Sequence, residues 1–225
     1  LGIECPFEEL PIIQRRLVKT CHRIGRPVIV ATEMLESMIE NPLPTRAEIT
    51  DVANAVFEQA DAIMLSGETT VGRYPVACVE VMDRIARRIE RSGGSNYQQD
   101  AELTQPRQKL VKSAVTLADH LRAAAIMVFT RTGRMAWYAA WQRPRHSPIY
   151  AFCTSAPLAA RLTICRGLQP MVMPACLADP EGAVTGALGR LTALGCLHRG
   201  DTVVALMPPA SALDQQMDTV KMLVA

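Results

Sequence analysis

Two short β-branched runs, PVIVAT at residues 27–32 and ADAIMLS at residues 60–66, constrain the fold more than any other feature. Each is an apolar run too short for a helix, and each reads as a strand buried on both faces. A helical pattern separates them, so the pair is expected to be parallel. Leu10, Ile13, Leu17, Val18 and Cys21 recur at helical spacing over Glu8–Ile24, and Gly25 supplies a stop. Thr45 followed by Glu48 reads as a capping box. It opens a helix over 46–59 whose apolar face carries Ile49, Val52, Ala53, Val56 and Phe57. Pro75 opens a third helix that runs to about Arg91. Two strands among three helices cannot close a sheet. Residues 1–92 therefore read as the closing units of a (β/α)8 barrel, a fold of ~250 residues. The earlier strands of such a barrel are expected to lie outside the chain.

The stretch SGGSNYQQDAELTQPRQ turns polar and Gly- and Pro-marked, and residues 93–108 read as a linker. Beyond it, residues 109–225 alternate again. A helix over Lys109–Leu121 precedes strand AAIMVFT, loop RTGR and a helix over Met135–Gln142. Strand SPIYAFC, a helix from Pro157 to Ile164, strand PMVMP and a helix over Glu181–Leu194 follow. Strand GDTVVALM and a last strand near Thr219–Val224 complete an α/β module with a mostly parallel sheet, its terminal strands open to antiparallel pairing.

Composition excludes several classes. With 49% hydrophobic and 20% charged residues and a formal net charge of +2, the chain reads as a soluble globular protein without a nucleic-acid or anionic-membrane footprint. No apolar run reaches the ~18 residues of a membrane span. The seven Cys are scattered without a C-x-x-C pair, which points to a reducing cytoplasm rather than to a disulfide framework or a zinc site. The four His stand outside any catalytic spacing and read as structural or exposed.

Three loops carry candidate chemistry. In PVIVATEMLESM, Thr32 and Glu33 stand at a strand's carboxyl end, where α/β barrels place their reacting groups. Capping of the short MLESM helix is the alternative role for Thr32. In MLSGETTVGRYP, Ser66, Gly67, Glu68 and Thr69 follow the next strand in the same way, and an ordinary strand-to-helix turn is the alternative. In VFTRTGRM, Thr130, Arg131, Thr132, Gly133 and Arg134 bring two hydroxyls, two guanidinium groups and helix N-terminal amides to one spot. That combination suits a phosphate. Trp137 and Trp141, four apart, read as helix packing, and Arg143-Pro144-Arg145 as a solvated corner.

The long stretch from PVIVATEMLESM through PTRAEITDVANA to MLSGETTVGRYP resembles the last two barrel units of pyruvate kinases. The part from VFTRTGR to GDTVV is similar to that family's C-terminal regulatory domain. The resemblance implies phosphoryl transfer from phosphoenolpyruvate to ADP, giving pyruvate and ATP, with Mg2+ and K+, in a cytoplasmic homotetramer under allosteric control. It implies that Thr32 hydrogen-bonds the substrate carboxylate and that Ser66 belongs to the polar network of proton delivery. Residues Leu1-Gly2-Ile3-Glu4 match the second half of the family's A-R-G-D-L-G-x-E motif. The metal and phosphate ligands are therefore expected ahead of Leu1, and the chain alone is expected to be inactive. Glu33 stands in place of the family's Gln, and Met135 in place of a Ser or Thr. The loop MPPASALDQQMDT lacks the Gly-rich turn and Arg of a bisphosphate site, which favours a monophosphate effector. The rival reading is a non-enzymatic module of the same family that binds a phosphorylated metabolite or a partner.

Overall fold

A computed structural model describes residues 6–31, 34–174, 177, 179–207 and 218–225. The calls on residues 1–4, Thr32, Glu33 and most of the loop before the last strand lie outside these residues. The chain divides into two compact units, Leu1–Glu102 and Leu103–Ala225.

In the first unit, α1 (Leu10–Ile24) follows a single 3-10 turn over Phe7–Glu9. It ends where the sequence places its stop. Gly25 adopts φ 70°, and its N–H donates to the carbonyls of Cys21 and His22, a left-handed cap that glycine takes without Cβ strain. Strands β1 (Ile29–Ala31) and β2 (Ala62–Met64) pair in parallel, with Ile29 opposite Ala62 and Ala31 opposite Met64. Helix α2 (Arg46–Phe57) lies between them in sequence, and α3 (Gly67–Thr70) and α4 (Pro75–Glu90) follow β2. Val18 of α1, Val30, Met34, Leu35, Met38, Val52, Ala55, Cys78 and Val81 form one apolar core. Burial on both strand faces is not what the structure shows. Val30 is buried, but Ile29 is 48% and Met64 43% exposed, because in a two-stranded sheet the helices cover only one side within this unit. The buried face of α2 is likewise turned from the expected one: Val52, Ala55 and Val56 are inside, while Ile49 and Phe57 are exposed.

Residues 94–102 lie along this unit. Ser95 N–H donates to the carbonyl of Phe57, Glu102 N–H to that of Arg23, and Tyr97 faces the His22 ring at 6.3 Å.

The second unit is a doubly wound layer. Helix α5 (Pro106–Leu121) leads into β3 (Ala125–Thr130), α6 (Arg134–Trp141), β4 (Ile149–Cys153), α7 (Ala156–Leu162) and β5 (Leu168–Val172). Helix α8 (Pro180–Ala193), β6 (Thr202–Met207) and β7 (Thr219–Val224) follow. The strand order is β5-β4-β3-β6-β7, parallel except for the antiparallel β6–β7 pair. Helices α5 and α6 pack with Ile126, Val128 and Val204 on one face of the sheet. Helix α8 packs through Ala183, Ala187 and Leu191 against Met127, Phe129 and Phe152 on the other. Phe129 and Phe152 stack at 5.1 Å. Every residue of β3 and β4 is buried, as a central parallel strand requires. Arg143 departs from the solvated corner expected of it: it is 8% exposed and turns the chain at φ 51°.

Candidate functional site

Both strands of the first unit point their carboxyl ends at the same edge, so the segments after β1 and β2 lie side by side. Ser66 stands between β2 and α3, exposed, with its carbonyl accepting from the N–H groups of Thr69 and Thr70 at 3.3 and 3.2 Å. Glu68, two residues on, is 3% exposed. Its Oε2 accepts from Ser66 N–H at 2.7 Å, and its Oε1 accepts from Leu35 N–H at 3.1 Å across 33 residues of sequence. Burial opposes ionisation of Glu68, but the N–H groups of Glu68, Ser66 and Leu35 outweigh it and hold the carboxyl below its ordinary range.

A second carboxylate braces the same segment. Glu48 completes the capping box with Thr45 and also accepts from Ser37 N–H and Ser37 Oγ, each at 2.6 Å. These donors, against the opposing cost of burial, pull its carboxyl below the ordinary range as well. Spacing alone reveals the Thr45–Glu48 pair. The reach of Glu48 to Ser37 and of Glu68 to Leu35 depends on how two loops meet in space, and no local pattern announces it.

A cleft of about 400 Å3, lined by Arg15, Phe57, Glu58 and Tyr97 among others, lies elsewhere in this unit. Phe57 and Glu58 precede β2, which puts the cleft on the amino-terminal side of the strands, the side that in such folds serves stability rather than chemistry.

In the second unit the five loop residues stand together. The chain runs from β3 in one direction through β4 and β5, then returns past β3 to β6, so the order reverses between β3 and β6. Ligands of open α/β sheets bind at the carboxyl ends of the strands at such a reversal. Residues 130–134 occupy that position. Thr130 closes β3 with 3% exposure, and its Oγ1 accepts from Gly133 N–H at 3.0 Å. Gly133 sits at φ 85°, and a Cβ there would meet Leu158 and Leu162 at 3.1 and 3.2 Å. Arg131, Thr132 and Arg134 are exposed, with Arg134 Nε 3.4 Å from Thr132 Oγ1. Helix α6 starts at Arg134, so its first amides open at this loop, beside two exposed arginines. The reversal of strand order, which sets this loop apart from the others, is invisible before the pairing is known.

Comparison with known proteins follows the same division. A model of the pyruvate kinase barrel domain matches residues 1–79, and one of the pyruvate kinase alpha/beta domain matches residues 108–223. Pyruvate kinase isozyme G, chloroplastic, of Ricinus communis is 40% identical over 97% of this chain and 52% of its own length. Pyruvate kinase 2 of Synechocystis sp. is 41% identical over 77% of this chain and 29% of its own length. The chain thus spans about half, or less, of the length of these relatives. A crystal structure of a pyruvate kinase from Cryptosporidium parvum superposes with a TM-score of 0.91 at 31% identity, over all of this chain and 45% of that one. A second structure of the Cryptosporidium parvum enzyme, in complex with ADP, gives a TM-score of 0.86.

Proposed function

The chain belongs to the pyruvate kinase family, and from that premise we propose that it supplies the closing barrel units and the regulatory domain of an enzyme transferring the phosphoryl group of phosphoenolpyruvate to ADP. The observation that carries this reading is the pairing of two polar segments at the carboxyl ends of consecutive parallel strands. Thr32 is assigned to the substrate carboxylate and Ser66 to the polar network that delivers a proton to the enolate. Catalysis of this kind rests on positioning and charge neutralisation. Ser66 is suited to the first task, being exposed beside a buried, ionised carboxylate that fixes its backbone.

Among the described residues no three His, Cys, Asp or Glu side chains gather as a metal site. Mg2+ and K+, like the groups that hold the transferred phosphoryl, are assigned to barrel units other than those described. On this reading the 225-residue chain alone does not turn over. The enzyme acts as a cytoplasmic homotetramer. Among the described residues no helix is long and apolar enough to cross a membrane. The loop Thr130–Arg134 is assigned to the phosphate of an effector, a monophosphate in preference to a bisphosphate, since the sequence MPPASALDQQMDT carries neither a Gly-rich turn nor an Arg for a second phosphate.

The test joins this chain to the preceding barrel units of the Cryptosporidium parvum enzyme and measures pyruvate formation. Ser66→Ala in the joined chain is expected to lower kcat at least tenfold, in keeping with the ~10²–10⁴ that positioned proton transfer contributes. Unchanged kcat removes Ser66 from the mechanism. Calorimetry distinguishes the effectors: tighter binding of a sugar bisphosphate than of a sugar monophosphate refutes the monophosphate assignment.

A further inference from the structure

Glu68 takes no part in the chemistry assigned above, yet among the described residues of the first unit it is the most buried carboxylate, and it uses both oxygens on backbone donors of different loops. Its Oε2 holds Ser66 N–H and its Oε1 holds Leu35 N–H. The segments are tied again further out, where Arg73 N–H donates to the carbonyl of Ile39 at 2.9 Å and Arg73 Nε lies 3.2 Å from Glu40. On the far side, Glu48 grips Ser37 through two bonds of 2.6 Å and fixes it to the start of α2. The path Ser66–Glu68–Leu35 therefore continues through Ser37–Glu48–Thr45, and both carboxylates lie inside it.

We infer that Glu68 is a positioning residue whose two carboxylate oxygens set the separation between Ser66 and the segment that follows β1. The inference rests on the reading of Ser66 as part of the reacting centre. A bidentate carboxylate is suited to this role because it accepts from two N–H groups at once, at a distance set by a rigid planar group. A Gln side chain has one oxygen and an NH2 group, which cannot accept from the second amide. An Asp side chain is one methylene shorter and cannot reach Leu35 while holding Ser66. Burial makes the tie unforgiving, since an amide left without its acceptor in this setting is costly.

Three variants are compared: Glu68→Gln, Glu68→Asp and Glu48→Gln. In the 225-residue chain, amide exchange followed by NMR is expected to quicken at least tenfold at Leu35 or Ser66 in Glu68→Gln, and at Leu35 in Glu68→Asp. Ala55 of α2 and Val128 of β3 keep their protection. Glu48→Gln loosens Ser37 and leaves Ser66 protected. In the joined chain, Glu68→Gln is expected to lower kcat about tenfold with KM within twofold, a split that a mere loss of folded protein does not produce once active enzyme is counted. Should Glu68→Gln fail to fold, the unmodified chain still decides: a Glu68 carboxyl 13C resonance that titrates at or above the ordinary glutamate range overturns the inference. Unchanged exchange at both amides overturns it, and so does quickened exchange with unchanged kcat. If the unmodified joined chain makes no pyruvate, the functional reading fails instead, and the positioning role falls with it.

Discussion

Replacing Thr130 with Val isolates one hydrogen bond at the centre of the phosphate-binding assignment. Valine keeps the shape of threonine and its preference for a strand, so β3 should persist. What disappears is the acceptor for Gly133 N–H, now 3.0 Å from Thr130 Oγ1 in a buried turn. A buried donor left unsatisfied costs about 1–3 kcal/mol, and the added methyl group returns up to ~0.8 kcal/mol. The net loss is about 1–2 kcal/mol, equivalent to roughly 4–10 °C in Tm for a unit of this size. Both tryptophans of the chain, Trp137 and Trp141, stand on the helix that follows this turn, so fluorescence during urea unfolding reports the second unit alone. Phosphate affinity, measured by calorimetry with inorganic phosphate and a sugar monophosphate, is expected to fall about tenfold because the turn no longer presents its amides in one direction. Thr130→Ser, which restores the acceptor, is expected to recover most of the affinity. A Thr130→Val protein with unchanged midpoint and unchanged phosphate affinity refutes the reasoning.

Gly133→Ala is expected to cost about 1–2 kcal/mol from the left-handed backbone alone, and more if Leu158 and Leu162 cannot give way by a few tenths of an ångström; the same fluorescence assay measures it. The carboxyls of Glu48 and Glu68 are held below their ordinary range, so they stabilise the first unit above the unfolded-state pKa. That stability is lost as pH falls through the folded-state pKa; urea unfolding followed by circular dichroism should show a steeper loss below about pH 4.5 in the unmodified chain than in Glu68→Gln. Burial pushes the thiols of Cys78 and Cys153 up, aided at Cys78 by the charge of Glu68. Iodoacetamide at pH 8 should therefore label these two slowly in the folded chain and fast in urea, as read by peptide mass spectrometry.

Local chemistry made much of the fold legible. The Gly25 stop, the Thr45–Glu48 box and the alternation through residues 109–225 each follow from residue types a few positions apart, and the elements stand within a residue or two of the expected places, except that α5 opens at Pro106, three residues ahead of the expected Lys109 and inside the stretch read as a linker. What eluded the sequence depends on non-local packing. Phe57 and Ile49 sit on the apolar stripe of α2, yet lie outside because the contact face is set by α4 and the strands. Arg143 looks like a surface charge beside Pro144 but is drawn inside the turn after α6. At the candidate sites, Ser66 and Thr130 can be named from their strand-end positions. Glu68 cannot be assigned its role, because its partner Leu35 is 33 residues away.

The central claim is that these residues complete a pyruvate kinase rather than act alone. The most direct measurement is pyruvate formation from phosphoenolpyruvate and ADP, with Mg2+ and K+, by the isolated chain and by the chain joined to the preceding barrel units of the Cryptosporidium parvum enzyme. The isolated chain is expected to form none, and the joined chain to turn over in a cation-dependent way. Turnover by the isolated chain, or its absence from a folded joined chain, contradicts it.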